Sequence, residues 1–288
     1  MREAFVMELP YKADFTGRVA VVTGAGGVLC SCMSRALASA GAKVALLDIN
    51  EDAVKKVAEE IRAEGGEALP VRCNILDRDE VRKAHELVLK TFGRTNILLN
   101  GAGGNNPKAT VDSEVFEASQ LGKEKTFFDI DEAGFRFVFD INFTGEFMMV
   151  REFAQDMLDG GNNSILNIAS VNTYLPLTKI PAYAAAKASV YNFTQWLAMY
   201  FSKVGIRVNA IAPGFLLTNQ TKPLFYQADG VTPTPRLRKI IAGTPMQRLG
   251  EPEELLGSVL FLLDEKASGF ITGAILPIDG GYTAYSGV

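Results

Sequence analysis

The chain has 288 residues, 48% of them apolar and 22% charged, so it can bury a large core, and its formal net charge of −4 leaves no footprint for nucleic acid. No apolar run reaches membrane-spanning length and the opening MREAFVMELPYKADF lacks a signal-like apolar core, so no membrane partner is expected and the cytoplasm is the expected compartment. Three cysteines and a single histidine argue against a disulfide framework, a histidine-cluster metal site and a histidine-based hydrolase triad.

The first element is an apolar strand over about 18–23, Arg18-Val19-Ala20-Val21-Val22-Thr23, which runs into Gly24-Ala25-Gly26-Gly27 and a small-residue helix near 28–40. A strand, a glycine-rich turn and a helix start make a phosphate cradle, because backbone N–H groups there can meet a pyrophosphate. Cys30 and Cys32, two apart on that helix, point in different directions, and no metal is expected. A second strand over about 42–48 ends in Asp48, twenty-four residues past Gly24, a distance that suits a carboxylate binding the 2′-hydroxyl of an adenosine ribose. A carboxylate there repels a 2′-phosphate, and no arginine follows in Ile49-Asn50-Glu51, so NAD is expected in preference to NADP. Asp48 also fits a plain helix N-cap.

A helix near 51–64, a strand over about 67–73 ending before Asn74, and a helix near 77–92 follow; His85 lies in the charged stretch of that helix and reads as solvated. The strand over about 96–100 leads through Asn100-Gly101-Ala102-Gly103 into a long connection, about 104–131, that holds Asn105-Asn106-Pro107-Lys108. A helix near 132–159 precedes a strand over about 164–169, and a helix near 180–204 precedes a strand over about 206–211 that ends at Pro213-Gly214. Beyond a second long connection, about 215–245, come a helix near 251–263 and a last strand over about 274–278. Nearly continuous apolar strands alternating with helices and no linker predict one domain over 1–288. Its fold class is α/β, a Rossmann-type doubly wound parallel sheet of about seven strands with helices on both faces. Thr23, Asp48, Asn74, Asn100, Ser170 and Pro213 all fall at the carboxyl ends of strands, where such sheets bind ligands.

Ser170 closes the fifth strand, and Tyr183 and Lys187 follow thirteen and seventeen residues later in an alanine-rich helix that Pro181 opens. Four residues apart on a helix, phenol and ammonium share one face. The cation is expected to pull the tyrosine pKa down toward the range of a general acid/base, with Ser170 holding the substrate oxygen. The same spacing also fits an ordinary surface pair. The stripe Phe193, Trp196, Leu197 and Tyr200 on this helix faces either the core or a neighbouring subunit.

Together, TGAGGVLC at 23–30, NGAG at 100–103, Asn142, Ser170, Tyr183, Lys187 and Pro213-Gly214 resemble the short-chain dehydrogenase/reductase family over about residues 15–283. The phrases GGVLC, NGAGGN, PLTKIPAYAAAKA, NFTQWLA, NAIAPGFLLTNQ and GGYTAYSGV are most similar to its D-mannonate oxidoreductase (fructuronate reductase) branch. The resemblance implies Asn142, Ser170, Tyr183 and Lys187 as the catalytic set, with Asn142 supporting a water relay and Lys187 also binding the nicotinamide ribose. It implies NAD contacts at Thr23, Gly24, Gly26, Gly27, Val28, Leu29, Asp48, Asn74 and Ile75, and at Asn100, Gly101, Ala102 and Gly103. Further contacts are implied at Tyr183, Lys187, Pro213, Gly214, Phe215 and Thr218. Residues 215–245 are implied as a substrate lid, and a homotetramer is the implied assembly.

The chain departs from the family pattern at Val28 and Cys30, which replace glycines, at Gly101, which replaces an asparagine, and at Asn74, which replaces an aspartate. Gly26 or Gly27 is expected to take over the glycine-only backbone angles, and Asn74 can still accept an adenine amino hydrogen bond. For a sugar-acid substrate, Lys108 and Lys179 are the expected carboxylate partners and Asn105 and Asn172 the hydroxyl partners. Gluconate, another polyol or a 3-oxoacyl group stay open as substrates, and a non-catalytic dinucleotide sensor stays open as the function.

Overall fold

Seven short runs of aliphatic and β-branched residues form one parallel sheet in this computed structural model, which describes residues 13–158 and 161–287; the N-terminal segment 1–12 lies outside them. In chain order the elements begin with β1 (Val19–Thr23), α1 (Val28–Ser39), β2 (Lys43–Asp48), α2 (Glu51–Ala63), β3 (Glu67–Arg72), α3 (Arg78–Thr91) and β4 (Ile97–Asn100). They continue with α4 (Glu132–Phe139), α5 (Gly145–Phe153), β5 (Asn163–Ile168), α6 (Pro181–Tyr200) and β6 (Ile206–Pro213). The last are α7 (Lys222–Phe225), α8 (Pro235–Ala242), α9 (Leu256–Leu263), α10 (Glu265–Ser268) and β7 (Ile275–Ile278).

The strand order is β3-β2-β1-β4-β5-β6-β7 and all pairs are parallel. Alternation along each strand divides the core in two. Ala20 and Val22 of β1 pack with Met33 and Leu37 of α1, Val54 of α2 and Val259 of α9 on one face. Val19 and Val21 face the other way, toward Val81 and Val88 of α3, Met149 and Phe153 of α5 and Leu197 of α6. Each such large side chain taken out of water contributes about 1.5–3 kcal/mol. The order reverses between β1 and β4, so the carboxyl ends of those strands flank a crevice. No helix among the described residues is long and apolar enough to cross a membrane.

The helix expected near 132–159 is broken. α4 passes into a π-turn over Asp140–Thr144, in which the Gly145 N–H reaches back to Asp140 O, before α5 resumes. Asn142 Nδ2 donates to the carbonyl of Val138 four residues back, a bond that competes with the helix's own ladder. The helix expected over 180–204 stops at Tyr200, and Gly205, at φ 77°, turns the chain out of the short 3₁₀ segment that follows.

One surface reading is corrected. His85 is largely covered: it packs edge-on against Phe153 at 5.0 Å between ring centroids, with Glu152 and Asp156 of the neighbouring segment beside its nitrogens. The charged residues around it follow the solvent face of α3, whereas His85 lies next to Ala84 and Val88 on the buried side. The aromatic stripe on α6 divides, with Leu197 in the core and Trp196 and Tyr200 stacked at 4.7 Å on the exposed face.

Candidate active site

The glycine-rich turn after β1 is shaped by close approach. Gly24 has φ 68°, and a Cβ there would meet the Ala102 backbone at 2.9 Å. A Cβ at Gly26 would lie 2.7 Å from the Ala53 side chain and 3.2 Å from Asp48 Oδ2. The expectation that Gly26 or Gly27 supplies glycine-only angles is therefore corrected: within this turn Gly24 does so, and Gly26 is needed for space. Gly27 caps α1 without a side-chain bond, so the first-turn N–H groups of Val28 and Leu29 are left to an anion.

Cys30 and Gly101 explain each other. A Cβ on residue 101 would overlap the Cys30 sulfur, so the thiol occupies the space that the second asparagine of the common family motif would need. The Cys30 thiol is buried and its pKa is pushed up to about 12 by burial, so it stays protonated.

Asp48 Oδ2 accepts from the Gly26 N–H at 3.0 Å and Oδ1 accepts from the Asn50 N–H at 2.9 Å, which leaves lone pairs for ribose hydroxyls. The N-cap of α2 is Asn50, whose side chain accepts from Ala53 N. Thr23 is buried and its hydroxyl accepts from Gly101 N and Ala102 N, so this side chain shapes the cradle from within. Asn74 Oδ1 already accepts from Leu76 N, and Ile75 is buried against Gly145. Asn100 donates to Asn167, which donates to Thr194: a buried amide chain that ties β4, β5 and α6 together. These cradle residues fit a dinucleotide.

At the catalytic end, Ser170 Oγ accepts from both the backbone N–H and Nδ2 of Asn172, each at 3.2 Å, and lies within hydrogen-bonding reach of the Tyr183 phenol. Asn172 is thus held behind Ser170, with its Oδ1 accepting from Leu177 N. Lys187 Nζ donates to Ile168 O at 2.6 Å and lies 5.8 Å from the centroid of the Tyr183 ring. The expected lowering of the tyrosine pKa is corrected: burial raises it, opposed by the hydrogen bond with Ser170. Burial likewise lowers Lys187 to about 8, opposed by Glu146 and Cys30. Asn142 clamps the turn after β4, its Oδ1 accepting from Gly104 N at 3.1 Å and its Nδ2 donating to Gly104 O at 2.6 Å.

A cavity of about 500 Å³ opens between the segment leading into α6, Phe215 after β6, Tyr282 and the start of α8. Lys179, Arg236 and Lys239 bring positive charge to it, and Glu114 pairs with Lys239 at 2.8 Å. Lys179 holds a left-handed backbone, φ 71°. Arg236 has no ion-pair or hydrogen-bond partner among the described residues. A larger cavity, about 640 Å³, shares the 176–179 wall but is lined mainly by apolar residues such as Phe116, Phe127 and Ala188. Lys108 and Asn105 line neither cavity; Lys108 packs on Gly134 at the start of α4. Gly214, whose Cβ would meet Asp279 Cα at 2.7 Å, and Thr218, bonded to Thr221, hold the base of the 215–245 segment.

Two site residues escaped sequence reasoning. Glu146 stands as a lone carboxylate in the apolar run of α5, and Arg236 follows the Thr234-Pro235 start of α8, where Thr234 caps Leu237 N. Both signals, a charge inside a buried stripe and a capped helix start, are visible in sequence.

A family model described as enoyl-(acyl carrier protein) reductase matches residues 27–283. An uncharacterized oxidoreductase of Haemophilus influenzae is 49% identical over 99% of this chain and 99% of its own length. The uncharacterized oxidoreductase UxuB of Bacillus subtilis is also 49% identical, over 97% of this chain and its full 100%. A crystal structure of a proposed D-mannonate oxidoreductase from Haemophilus influenzae, with bound NAD, superimposes with a TM-score of 0.93 at 50% identity, covering 96% of this chain and 98% of that one. With the sheet order, the serine–tyrosine–lysine geometry and these likenesses in agreement, the chain belongs to the short-chain dehydrogenase/reductase family of oxidoreductases.

Proposed function

We propose that this chain is an NAD(H)-dependent oxidoreductase that interconverts a secondary alcohol and a ketone of a sugar acid, D-mannonate and D-fructuronate. The observation that carries the substrate class is the cationic cavity in which the Arg236 guanidinium has no partner among the described residues. A planar guanidinium grips a carboxylate through two parallel bonds. The 50% identity to the crystal structure of a proposed D-mannonate oxidoreductase with bound NAD supports the same substrate and cofactor. The Asp48 carboxylate at the end of β2 favours NAD over its 2′-phosphorylated form.

When bound, the nicotinamide accepts or supplies the hydride. The chain's own residues handle the proton. Asn172 uses its two N–H groups on the Ser170 oxygen, which frees the Ser170 hydrogen for the phenol or the substrate oxygen. Tyr183 takes the alcohol proton in oxidation and returns it in reduction, which is worth roughly 10²–10⁴-fold. Lys187 is the cation beside the Tyr183 ring, and the Asn142 amide holds the adjoining turn.

The test is a panel of aldonates, ketouronates and neutral polyols assayed with NAD(H) and NADP(H), with the parent and Arg236→Met compared. D-mannonate and D-fructuronate are expected to turn over with NAD(H), and the substitution is expected to raise their KM about 10–100-fold, the loss of one charge-assisted pair. Neutral polyols turning over as well as the acids would refute the sugar-acid reading.

A further inference from the structure

Glu146 lies in α5 one turn beyond Asn142, 5% exposed, and its Oε1 is buried without a hydrogen-bond partner among the described residues. A carboxylate so placed is costly unless a cation answers it. Lys187 is the cation that acts on it. The lysine is itself 6% exposed and uses one of its three N–H bonds on Ile168 O. Lys187 Nζ and Asn142 Oδ1 converge on Gly103, where an added Cβ would stand 3.6 Å from the first and 2.5 Å from the second. Glu146 thus stands one helical turn from the amide that shares this point with Lys187, whose Nζ lies 5.8 Å from the centroid of the Tyr183 ring. Glu146 and Lys187 act on each other through space, without a direct ion pair.

We propose that Glu146 is the buried counter-charge of Lys187, a positioning residue that acts through the lysine to set the pH range in which Tyr183 transfers its proton. This rests on the roles of Tyr183 and Lys187 given above. The proton inventory is closed: Glu146 and Lys187 exchange protons with water as pH changes, and neither forms nor breaks a bond to substrate.

The electrostatics run the same way. Burial pushes the Glu146 carboxyl up to about 8 and Lys187 down to about 8, each opposed by the other's charge. Besides Tyr183, the Cys30 thiol also acts on the lysine; burial raises it to about 12, so it stays neutral across this range. On α3, His85 faces Glu152 and Asp156 farther along the segment and does not act on Glu146. Removing the Glu146 charge leaves burial unopposed from that side, so Lys187 loses its proton at lower pH and Tyr183 loses its neighbouring cation.

Two measurements decide the matter. In Glu146→Gln, the alkaline rise of kcat for alcohol oxidation is expected to move up by about one pH unit, while activity near neutral pH, where the parent carboxyl is itself protonated, stays close to the parent's. Glu146→Asp, which keeps the charge, is expected to restore the parent profile. A Glu146→Gln profile that superimposes on the parent overturns the proposal. The second readout needs no substrate or cofactor: a difference infrared titration of the cofactor-free parent enzyme is expected to show a carboxylic acid losing its proton well above the usual carboxylate range. Lys187→Met is expected to move that titration to still higher pH. If no carboxyl titrates above the usual range, the proposal fails even if Tyr183 is confirmed as the acid/base. If Tyr183→Phe were fully active while the carboxyl titrates, the catalytic reading fails instead.

Discussion

Gly101→Ala isolates the interlock between the cofactor turn and the end of β4. Gly101 has no positive φ, so alanine meets no backbone strain there, and the effect is purely one of space. The new methyl overlaps the Cys30 sulfur and comes within 3.1 Å of Thr23 O, while Gly101 N stays tied to Thr23 Oγ1 at 3.0 Å. The backbone cannot back away without losing that bond, and the Cys30 thiol is buried, so the cost is that of overpacking, about 1–3 kcal/mol. For a chain of this length that is a fall in Tm of about 2 °C per kcal/mol. Cys30→Gly alone costs about 2 kcal/mol from helix propensity and lost burial. In the double variant the methyl fills the space the sulfur vacates, so the two changes together are expected to cost less than their sum by about 1–3 kcal/mol. Urea unfolding of the four proteins without cofactor completes the cycle. Strict additivity, or a Gly101→Ala protein as stable as the parent, would refute the interlock.

Tyr183→Phe is expected to reduce turnover by about 10²–10⁴-fold while NADH binding, followed by fluorescence titration, stays within about twofold of the parent. Asp48→Asn removes a charge from the ribose site and weakens its bond to Gly26 N. It is expected to lower kcat/KM for NAD by about 10–150-fold and to narrow the preference over NADP, as steady-state kinetics with both cofactors would show. Arg248 grips Glu254 through two bonds of 2.7 and 2.6 Å, and the pair holds the Glu254 carboxyl down from 4.5 to about 2. A depressed carboxylate contributes stability that is full above its unfolded value and lost as pH falls through the folded one. Acid unfolding of Arg248→Met is therefore expected to differ from the parent above about pH 4.5 and to converge with it near about pH 2.

The sheet was legible because its strands are nearly continuous apolar runs ending in Thr23, Asp48, Asn100 and Pro213, and parallel crossovers leave few ways to order them. Ser170, Tyr183 and Lys187 were legible as a group because one strand end and one helix face fix their separation. What pattern alone could not give was the balance of charge and burial. The spacing of Tyr183 and Lys187 suggested a lowered phenol pKa, yet burial raises it and one of the lysine's N–H bonds goes to Ile168 O. Lys108 looked suited to a substrate carboxylate in sequence, but its strand-to-helix connection folds it against Gly134, while Arg236, more than a hundred residues away, lines the cavity. The π-turn was invisible because its five residues, Asp140–Thr144, have ordinary helix-compatible composition; a side-chain amide bond makes it.

That turn has a consequence for what the gene can tolerate. An i→i+5 turn takes up one residue more than an α-helical turn, so the extra residue between Asp140 and Thr144 is absorbed without turning α5 away from the core. A single-codon deletion there would return the segment to plain α-helix and leave Met149, Val150 and Phe153 facing inward, whereas the same deletion after Thr144 would rotate the rest of α5 by about 100° and bring them out.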